Sequence, residues 1–520
     1  MLRRSLLAFA PVATGAALLA ACNAITGVND LSIPGGTGAA GATGVTSSGG
    51  VGGFGTGGSG VGAGEPPPPE MLPAQGVTID QIAIYQGVKR SLMGGTPPSS
   101  GITVPVVAGR PALVRVFVKT DAGYDNSPIT AHLFLGQDQT PLEVVGAVSS
   151  STDSSLGSTV NFDVPGDKVV LGQTYRVELL QPPTNTTGMN AGAAYPATGS
   201  AQLDVKSDGM QLKVKIVPIR YGADSSNRLP DTSQQQIDGY KSYFFRTYPV
   251  ANTEITVHAA VQWNQTISPN GSGWSQILDT VAQLRQQEGT PPDVYYFGVF
   301  APAPSFNQFC SSGCVAGLGM VGSATDNYSR AAVGLGYSGD DAWTTAIHEI
   351  GHTHGRNHSP CGGAQGVDPD YPYSGANIGV WGYDLGSKQL IGPSQGKDVM
   401  GYCDPIWISD YTYKAFFDRI KLVNKAKVIV PDELMNQAWE RVRVDGQGNL
   451  TWLSAVQMEL PPSGQATPVT VQGAGGPAVV DAQFIPYDHL PGGVLLWQQA
   501  AVPVSAVQVT LGGKVSSVTR

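Results

Sequence analysis

One short segment of the chain carries residue types and spacings that suit metal chemistry. His348 and His352 are four residues apart, so on a helix their imidazoles lie on one face and can reach one metal ion. Glu349 follows the first of them, where its carboxylate can contact a metal-bound water without ligating the metal. Gly355 can adopt the left-handed conformation that ends a helix, so the chain can turn back and supply His358 as a third ligand. Three protein ligands with one open position are typical of a catalytic zinc site.

The specificity of this pattern rests on its full length. A solvated helix can carry two histidines at this spacing without binding a metal, and the shorter pattern His-Glu-x-x-His alone would leave that alternative open. The longer pattern His-Glu-x-x-His-x-x-Gly-x-x-His is present here, and it uses three of the seven histidines in the chain. A further histidine, His354, points to a different side of the same helix, and we expect it to be a solvated polar residue.

The same residues resemble the signature of the metzincin zinc proteases, in which the third histidine is followed by a turn that contains a methionine. Met400 lies in a turn-like segment of this kind, Asp-Val-Met-Gly-Tyr. Tyr402, two positions later, matches the tyrosine with which astacin-like and serralysin-like metzincins bind the metal or stabilise the transition state. The resemblance covers about residues 210–426, and the surrounding sequence is most similar to a bacterial secreted or lipoprotein subgroup.

This resemblance implies a zinc-dependent metalloendopeptidase that hydrolyses peptide bonds of extracellular proteins or glycoproteins. One catalytic zinc ion would be held by His348, His352 and His358, and it would lower the pKa of its water to about 7. Glu349 would act as the general base that takes the proton of this water. Tyr402 would help to stabilise the oxyanion.

Two other functions stay open at this point. One is a surface-anchored adhesin or binding protein with a non-catalytic zinc site, in which the flanking domains bind the partner. The intact Glu349 argues against this alternative, because a site without catalytic function would be free to lose its base. The other is a different hydrolytic zinc enzyme, such as an amidase, which the motif resembles less.

The length and composition of the chain exclude some classes of function and favour others. A chain of 520 residues is too long for one core, and about three folded units are expected. The net charge of −9, without a dense basic patch, argues against nucleic-acid binding. The many glycines (68) and prolines (38), with only 13% charged residues, are typical of β-rich extracytoplasmic proteins. We expect a monomer whose partner is a protein or glycoprotein substrate.

The first residues have the pattern of a bacterial export signal. Two arginines precede an apolar run over residues 6–20, which is too short for a stable transmembrane helix. The run ends in Leu-Ala-Ala-Cys at Cys22, which resembles a lipobox, so we expect Cys22 to carry a lipid. An ordinary secretory signal cleaved near Ala21 is the alternative. Both interpretations predict a location in the bacterial cell envelope, lipid-anchored at the outer membrane or cell surface, or secretion.

Besides Cys22, the chain contains four cysteines, which is an even number. These four residues, in an oxidising compartment, favour two disulfides with three alternative connectivities. We favour one bond that joins Cys310 to Cys314, and a second that joins Cys361 to Cys403. The second bond would tie the segment after the third histidine to the residue that follows the Met-turn. A four-thiolate metal site is the alternative, but the spacing lacks paired Cys-x-x-Cys units.

Composition divides the rest of the chain. We predict a signal peptide at residues 1–22, a Gly/Ser/Pro-rich linker at 23–75 and an immunoglobulin-like β-sandwich at 76–206. A metzincin-like catalytic domain follows at 207–430, and a C-terminal β domain resembling a second small sandwich occupies 431–520. The expected fold class is therefore multidomain, an α+β zinc protease domain flanked by two β-sandwich-like domains. The C-terminal domain is expected either to bind a substrate or cell-wall polymer, or only to support the protease.

The sequence of the predicted catalytic domain indicates alternating strands and helices. Helices are predicted from a cap at Asp231 or Ser233 to residue 246, over residues 274–287, and after a cap at Ser409. Strands are predicted over residues 212–217, 254–257 and 294–299. The resemblance places the edge strand that pairs with an extended substrate at residues 332–336.

Three other residues that could ligate a metal have weaker support. Asp368 and Asp370 lie in one loop and could hold a calcium ion, but two loop carboxylates are more often solvated, and no further residue supports this site. His132 lies in a predicted strand, and we expect it to have no metal role.

The lipid anchor gives a first testable prediction. Replacing Cys22 with Ser removes the thioether-forming side chain, so the variant is expected to leave the membrane fraction and appear in the soluble fraction. Fractionation of cells that express the wild type and the variant measures this. A wild-type protein already freely soluble outside the cell would rule out the anchor.

Overall fold

The computed structural model describes residues 70–183, 192–206, 210–425 and 435–520. The predicted signal peptide, Cys22 and most of the predicted linker lie outside these residues, as does the predicted boundary between residues 430 and 431. Within the described ranges, no helix is both long enough and apolar enough to cross a membrane.

The N-terminal unit consists of two β-sheets that share one core. In the first sheet the strand order is β1-β9-β6-β7, with β10 and β11 also paired to β9, and in the second it is β3-β2-β5-β8, while β4 and β12 form a separate parallel pair. The strands are β1 (Leu72–Pro73), β2 (Val77–Tyr85), β3 (Lys89–Met93), β4 (Val106–Val107), β5 (Ala112–Thr120), β6 (Ile129–Leu135), β7 (Leu142–Gly146), β8 (Val160–Val164), β9 (Thr174–Gln181), β10 (Ala194–Tyr195), β11 (Ala201–Gln202) and β12 (Val205–Lys206).

The N-terminal sheets follow the expected alternation of buried and exposed residues. Along β6 and β9 every second residue is buried, because successive side chains of a strand point to opposite faces. The buried residues of both sheets form one cluster. This arrangement agrees with an all-β module, and the immunoglobulin-like form stays a prediction. His132 lies on β6 with its Nε2 atom 3.0 Å from the Glu143 carboxylate.

The unit that contains the predicted catalytic domain, called the catalytic unit below and described over residues 210–425, is built on a mostly parallel sheet covered by helices. The strand order is β14-β13-β16-β18-β17, with β15 also paired to β13, and only β17 runs antiparallel to its neighbour among these described strands. In chain order the elements are β13 (Gln211–Tyr221), α1 (Gln234–Thr247), β14 (Asn252–Val257), β15 (Val261–Trp263), α2 (Trp274–Gln287), β16 (Val294–Phe300), α3 (Phe306–Phe309), β17 (Gly317–Gly319), β18 (Ala331–Leu335), α4 (Asp340–Thr353), β19 (Gly382–Asp384), β20 (Gln389–Ile391), β21 (Lys397–Asp398), β22 (Ile406–Trp407) and α5 (Asp410–Lys425).

The helix starts agree with the sequence signals. Ser233 caps α1, since its side chain accepts a hydrogen bond from the Gln236 amide. Ser409 does the same for the first turn of α5, where its hydroxyl oxygen accepts from the Thr412 amide over 3.1 Å. Helix α2 has the predicted bounds.

The edge of the catalytic sheet differs from the prediction. Residues 332–336 were expected to form the edge strand, but β18 lies between β16 and β17. The edge is β17, which pairs antiparallel with β18 through Gly317 opposite Gly334 and Gly319 opposite Ala332. Its sequence Gly-Leu-Gly has no β-branched or aromatic residue and no alternating run, so it carries no strand signal.

One buried tyrosine joins the helices of the catalytic unit. Tyr248, which follows α1, stacks on Phe416 of α5 with ring centroids 4.3 Å apart. Its hydroxyl donates to the Ile347 carbonyl of α4 over 2.7 Å. These contacts lie in a cluster of fully buried side chains that also contains Met400, so the helix that carries the histidines is held between α1 and α5.

The C-terminal unit is one continuous antiparallel sheet with strand order β24-β23-β27-β26-β25-β28-β29. Residues from both halves of the sheet belong to one buried cluster, so the sheet folds back on itself as a sandwich does. The strands are β23 (Gln437–Val444), β24 (Leu450–Met458), β25 (Gln465–Gly473), β26 (Gly476–Pro486), β27 (Gly493–Gln498), β28 (Val504–Leu511) and β29 (Lys514–Thr519).

The C-terminal sheet is packed against the catalytic unit. On β27, Leu495 and Trp497 point into the sheet's own core, whereas Val494 and Leu496 join a core shared with α2 and β17. Polar contacts cross the same interface. The Arg441 guanidinium donates to the Tyr328 hydroxyl over 2.9 Å. Trp439, Val456 and Met458 lie in the same shared core, so the part of the sheet formed by β23, β24 and β27 packs on the catalytic unit.

A buried carboxylate lies in this interface. Asp279 of α2 accepts a hydrogen bond from the Tyr487 hydroxyl over 3.3 Å and lies 3.3 Å from the Arg443 guanidinium. Burial raises the pKa of Asp279 to about 6, and the nearby Arg443 and Arg441 charges oppose that rise. The C-terminal unit thus meets the catalytic unit through a mixed apolar and polar surface.

Candidate metal centre

Helix α4 carries the first two histidines and the glutamate. Asp340 and Asp341 stand in its first turn, where acidic side chains interact favourably with the helix dipole. The helix ends at Thr353, and Gly355 then adopts a left-handed φ of 79°, as its position in the pattern predicts. The Gly355 amide donates to the His352 carbonyl over 2.7 Å. The chain turns back at this point and brings His358 beside the helix.

Each of the three histidines is oriented by a backbone carbonyl. A carbonyl oxygen can only accept a hydrogen bond, so the Nδ1 atom that contacts it must carry the proton and the Nε2 lone pair is left free. The Nδ1 atoms of His348, His352 and His358 donate to the carbonyl oxygens of Val399 (2.6 Å), Arg356 (2.6 Å) and Gln365 (2.5 Å), respectively.

The free Nε2 atoms converge. Those of His348 and His352 are 3.0 Å apart, and the ring centroids of His352 and His358 are 4.6 Å apart. Burial lowers the pKa of all three imidazoles, to about 3 for His358, so each is neutral, the form that ligates a metal. Two neutral imidazole nitrogens this close repel each other unless a cation lies between them. The donor set therefore fits zinc.

Glu349 stands beside these ligands and is itself buried. Its Oε1 atom lies 2.9 Å from the His489 Nε2 atom, and the buried Asp488 carboxyl interacts with the Glu349 carboxyl as well. Burial raises the pKa of Glu349 to about 8. A carboxyl with such a pKa can both take up and release a proton near neutral pH.

The predicted Met-turn packs under the metal site. A Cβ atom on Gly351 of α4 would lie 2.4 Å from the Met400 sulfur, so only glycine allows this close approach. Asp398 fixes the turn, since its carboxylate accepts from the Met400 amide over 3.0 Å and from the Ser409 hydroxyl over 2.6 Å. The sequence analysis did not single out Asp398. It ties the turn to the start of α5.

Tyr402 reaches the centre from the other side of the turn. Its hydroxyl lies 2.9 Å from the His358 Nε2 atom, and its ring centroid is 5.7 Å from that of His348. Burial raises the pKa of Tyr402, so the hydroxyl stays protonated and can donate a hydrogen bond. The structure thus brings together the three predicted ligands, Glu349 and Tyr402.

Two residues of the C-terminal sheet also enter the centre, and the sequence analysis missed both. His489 Nε2 lies 2.9 Å from Glu349 Oε1, and Asp488 Oδ2 lies 3.3 Å from His352 Nε2. The potential ligand atoms of the three predicted ligands and of His489 all lie within 4.8 Å of one another. The only sequence signal was a histidine in a Gly- and Pro-containing turn, with no spacing that links it to the motif.

The position of His354 corrects the sequence analysis. It was expected to be solvated, but it is 3% exposed and its ring stacks on Tyr295 with centroids 4.5 Å apart. Its Nδ1 atom donates to the Ile350 carbonyl over 2.7 Å. The side of α4 that it occupies is covered by the sheet, which the helical wheel alone does not reveal.

One of the two predicted carboxylates of the calcium alternative, that of Asp368, has protein partners. Asp368 lies 2.7 Å from the Arg356 guanidinium and accepts from the Tyr411 hydroxyl over 2.9 Å. The Asp370 amide donates to the Asp368 carboxylate over 3.1 Å. Asp368 therefore acts as an anchor for the loop after α4, and these contacts account for its position without a calcium ion.

Both disulfides have the favoured pairing. Cys310 is bonded to Cys314, between α3 and β17. Cys361 is bonded to Cys403, so the loop after His358 is joined covalently to the residue next to Tyr402. The four cysteines do not form a shared metal site.

A small open cleft borders the centre next to Glu349. It runs between the outer face of α4 and the segment after the Met-turn. Its lining includes Ala316, Thr344, Thr345, Asp404 and Ile406. A groove of mixed polar and apolar character beside the ligands can accommodate a side chain of a bound peptide.

Comparison with protein families agrees with this geometry. Residues 195–404 match the model of the Peptidase M66 family. The match supports a metallopeptidase family for this part of the chain, and the buried histidine cluster agrees with a zinc site. No curated protein matches the chain.

The M66-matching region contains the ligands, Glu349, the Met-turn and Tyr402. It begins in the last strands of the N-terminal unit and ends before α5, so it is shorter than the predicted catalytic domain of residues 207–430 at its C-terminal side. Asp488 and His489 lie outside the region.

Metal analysis tests the ligand set. The wild type is expected to bind about one zinc ion per chain, and a variant with both His348 and His352 replaced by Ala is expected to lose it, because only one ligand of the motif is left. His132→Ala, in the N-terminal unit, serves as the control and keeps its zinc. Near-full zinc retention by the double variant would show that the metal is held elsewhere.

Unfolding in urea tests the disulfide that frames the site. The Cys361–Cys403 bond spans 42 residues, and replacing both cysteines with Ser is expected to lower the free energy of unfolding by about 4 kcal/mol. The matched change at Cys310–Cys314, which spans four residues, is expected to cost about 2 kcal/mol. A larger loss at the short loop than at the long one would contradict the loop-entropy explanation.

Proposed function

We propose that the protein is a zinc-dependent metalloendopeptidase of the metzincin type that hydrolyses peptide bonds in proteins or glycoproteins outside the cell. One observation carries the proposal. Three neutral imidazoles, each fixed by a backbone carbonyl, direct their free Nε2 atoms to one point beside a buried glutamate. The match of residues 195–404 to a metallopeptidase family supports the reaction class.

His348, His352 and His358 would hold the metal. When bound, zinc supplies a Lewis acid that polarises a carbonyl oxygen and makes a water molecule more acidic. The carbonyl partners at Nδ1 keep the rings from rotating and raise the basicity of Nε2. The backbone therefore fixes the orientation of each ring.

Glu349 has the position of a general base. It follows the first ligand on α4, and its Oε1 atom lies 2.9 Å from the Nε2 atom of His489, which lies among the three ligands. In its ionised form the carboxylate would accept a proton from the attacking water and return that proton to the leaving amine. The neighbouring cleft offers a place for the substrate side chain next to the bond that is cut.

Tyr402 is proposed as a donor to the oxyanion. Its hydroxyl is protonated, is held near His358, and comes from a turn that the Cys361–Cys403 bond braces. A donor fixed in advance stabilises developing negative charge without reorganisation. Tyr402 therefore acts on the reaction, whereas Met400 acts only on the packing of the site.

The location outside the cytoplasm is part of the proposal. Two disulfides fit an oxidising compartment, and the Leu-Ala-Ala-Cys sequence at Cys22 fits a lipid anchor in the bacterial cell envelope or, in the alternative, secretion. The proposed partner is a protein or glycoprotein substrate, and the chain is proposed to act as a monomer.

Kinetics of two variants test the roles of Glu349 and Tyr402. Glu349→Gln removes the base and is expected to keep the zinc while lowering kcat by about 10²–10⁴-fold. Tyr402→Phe removes one donor and is expected to lower kcat by roughly 10²–10³-fold with little change in KM. Zinc content, kcat and KM are measured on the same peptide substrate.

Unchanged turnover has a different meaning for each variant. In Tyr402→Phe it would reduce Tyr402 to a packing residue and leave the peptidase proposal intact. In Glu349→Gln it would remove the proposed mechanism, and a binding protein with a non-catalytic zinc site would then be the better description.

A further inference from the structure

One loop of the C-terminal sheet runs along the edge of the catalytic sheet. It leaves β26 at Pro486 and returns to β27 at Gly493. Met320, next to β17, forms an antiparallel bridge with Tyr487, and the Val321 amide donates to the Pro486 carbonyl over 3.1 Å. The start of the loop therefore extends the catalytic sheet by one short strand.

Asp488 continues this pairing at β17 itself. Its amide donates to the Gly319 carbonyl over 3.3 Å, and its carboxylate accepts from the Gly319 amide over 3.0 Å. Main-chain groups of this kind bind an extended peptide that adds to the edge of a sheet. A peptide that bound at β17 would therefore need the same main-chain groups of β17 that residues 486–488 already use.

His489 then places its ring among the residues of the metal centre. Nε2 is 2.9 Å from Glu349 Oε1, and Nδ1 contacts the Tyr402 hydroxyl. The ring centroid is 4.9 Å from that of His358 and 5.3 Å from that of His348. The His489 side chain is only 8% exposed, so it fills the space in front of the ligands.

The loop takes two features that a peptide substrate needs at the centre, the edge of the sheet and the space beside the ligands. Residues 486–488 take the sheet edge, and His489 takes one oxygen of Glu349 and the position beside the three imidazoles. A histidine that merely assisted catalysis would leave the edge free for the substrate. Zinc with four protein ligands is typical of closed sites, whereas a catalytic site keeps one position open.

We propose that residues 486–489 keep the intact chain latent: they occupy the edge of β17 and the space in front of the three imidazoles in place of a peptide, and His489 serves as a fourth metal ligand. Latency rests on the proposed peptidase function, whereas the closure of the metal site does not. Peptides reach the centre when the loop withdraws from β17.

Buried residues within the loop and beside it hold the loop in the closed position. Ile485 and Tyr487 are buried in the core shared by the two units, and the Tyr487 hydroxyl donates to Asp279. At the other end Val494 lies in the same core. Withdrawal of residues 486–489 therefore disturbs packed side chains, so the loop is not a free surface segment.

The test uses the zinc-loaded full chain and two variants. His489→Phe keeps the volume of the ring but cannot ligate the metal, whereas Asp488→Ala combined with His489→Ala removes both contacts of the loop with the centre. His132→Ala is the matched control. The rate of zinc removal by excess chelator, amide exchange of residues 317–321 by mass spectrometry, and hydrolysis of a peptide library are measured for each protein.

Closure predicts a distinct result for each variant. His489→Phe is expected to lose zinc roughly 10–100-fold faster than the wild type and the control. The double variant is expected to show faster amide exchange at residues 317–321. The double variant is expected to hydrolyse peptides faster than the wild type, because all of its molecules are open. If about one wild-type molecule in ten is open, the rate rises roughly tenfold.

Contrary results separate this proposal from the peptidase proposal. Zinc loss from His489→Phe at the wild-type rate would exclude His489 as a ligand. A double variant that retains zinc but hydrolyses peptides more slowly than the wild type would show that the loop assists the reaction and does not block it. Equal hydrolysis by wild type and double variant would refute latency alone. Faster zinc loss without hydrolysis by any protein would support closure and refute the peptidase.

Discussion

The metal centre depends on three hydrogen bonds from imidazole nitrogens to backbone carbonyls. The accepting carbonyls belong to the turn just after α4, to the loop that follows His358 and to the Met-turn. Three segments of backbone must therefore be in place before the ligand atoms can converge. Contacts that have no part in the chemistry hold these segments, among them Asp398, the Arg356–Asp368 ion pair and the Cys361–Cys403 bond.

The parts of the site that could be predicted from the sequence are those set by local geometry. One helix turn separates His348 from His352, and a left-handed glycine brings back His358, so short-range rules suffice. Helices α1 and α2 were predictable for the same reason, since caps and apolar periodicity are local signals.

The parts that could not be predicted depend on long-range packing. The edge strand β17 is made of Gly-Leu-Gly and has strand geometry only because β18 pairs with it. His354 looked solvated because the helical wheel does not show that the sheet covers this side of α4. His489 lies 140 residues after Glu349, and only the docking of a second sheet brings the two together.

The C-terminal sheet shows how one strand can serve two cores. On β27, alternate residues point to opposite faces, so Leu495 belongs to the core of the sheet and Leu496 to the core shared with the catalytic unit. A strand buried on both sides reads as a continuous apolar run, which the sequence indeed shows. The sequence left open whether this unit binds a ligand or supports the protease, and the structure shows that it shares a core with the catalytic unit.

The contact between Tyr402 and His489 also has a consequence for how the chain is made. The two residues are 87 positions apart, and a polypeptide is synthesised and exported from its N-terminus. All three ligands, Glu349 and the Met-turn therefore emerge well before the segment that covers them. During that interval the edge of β17 and the space in front of the ligands are uncovered, so the nascent chain exposes groups that the complete chain buries.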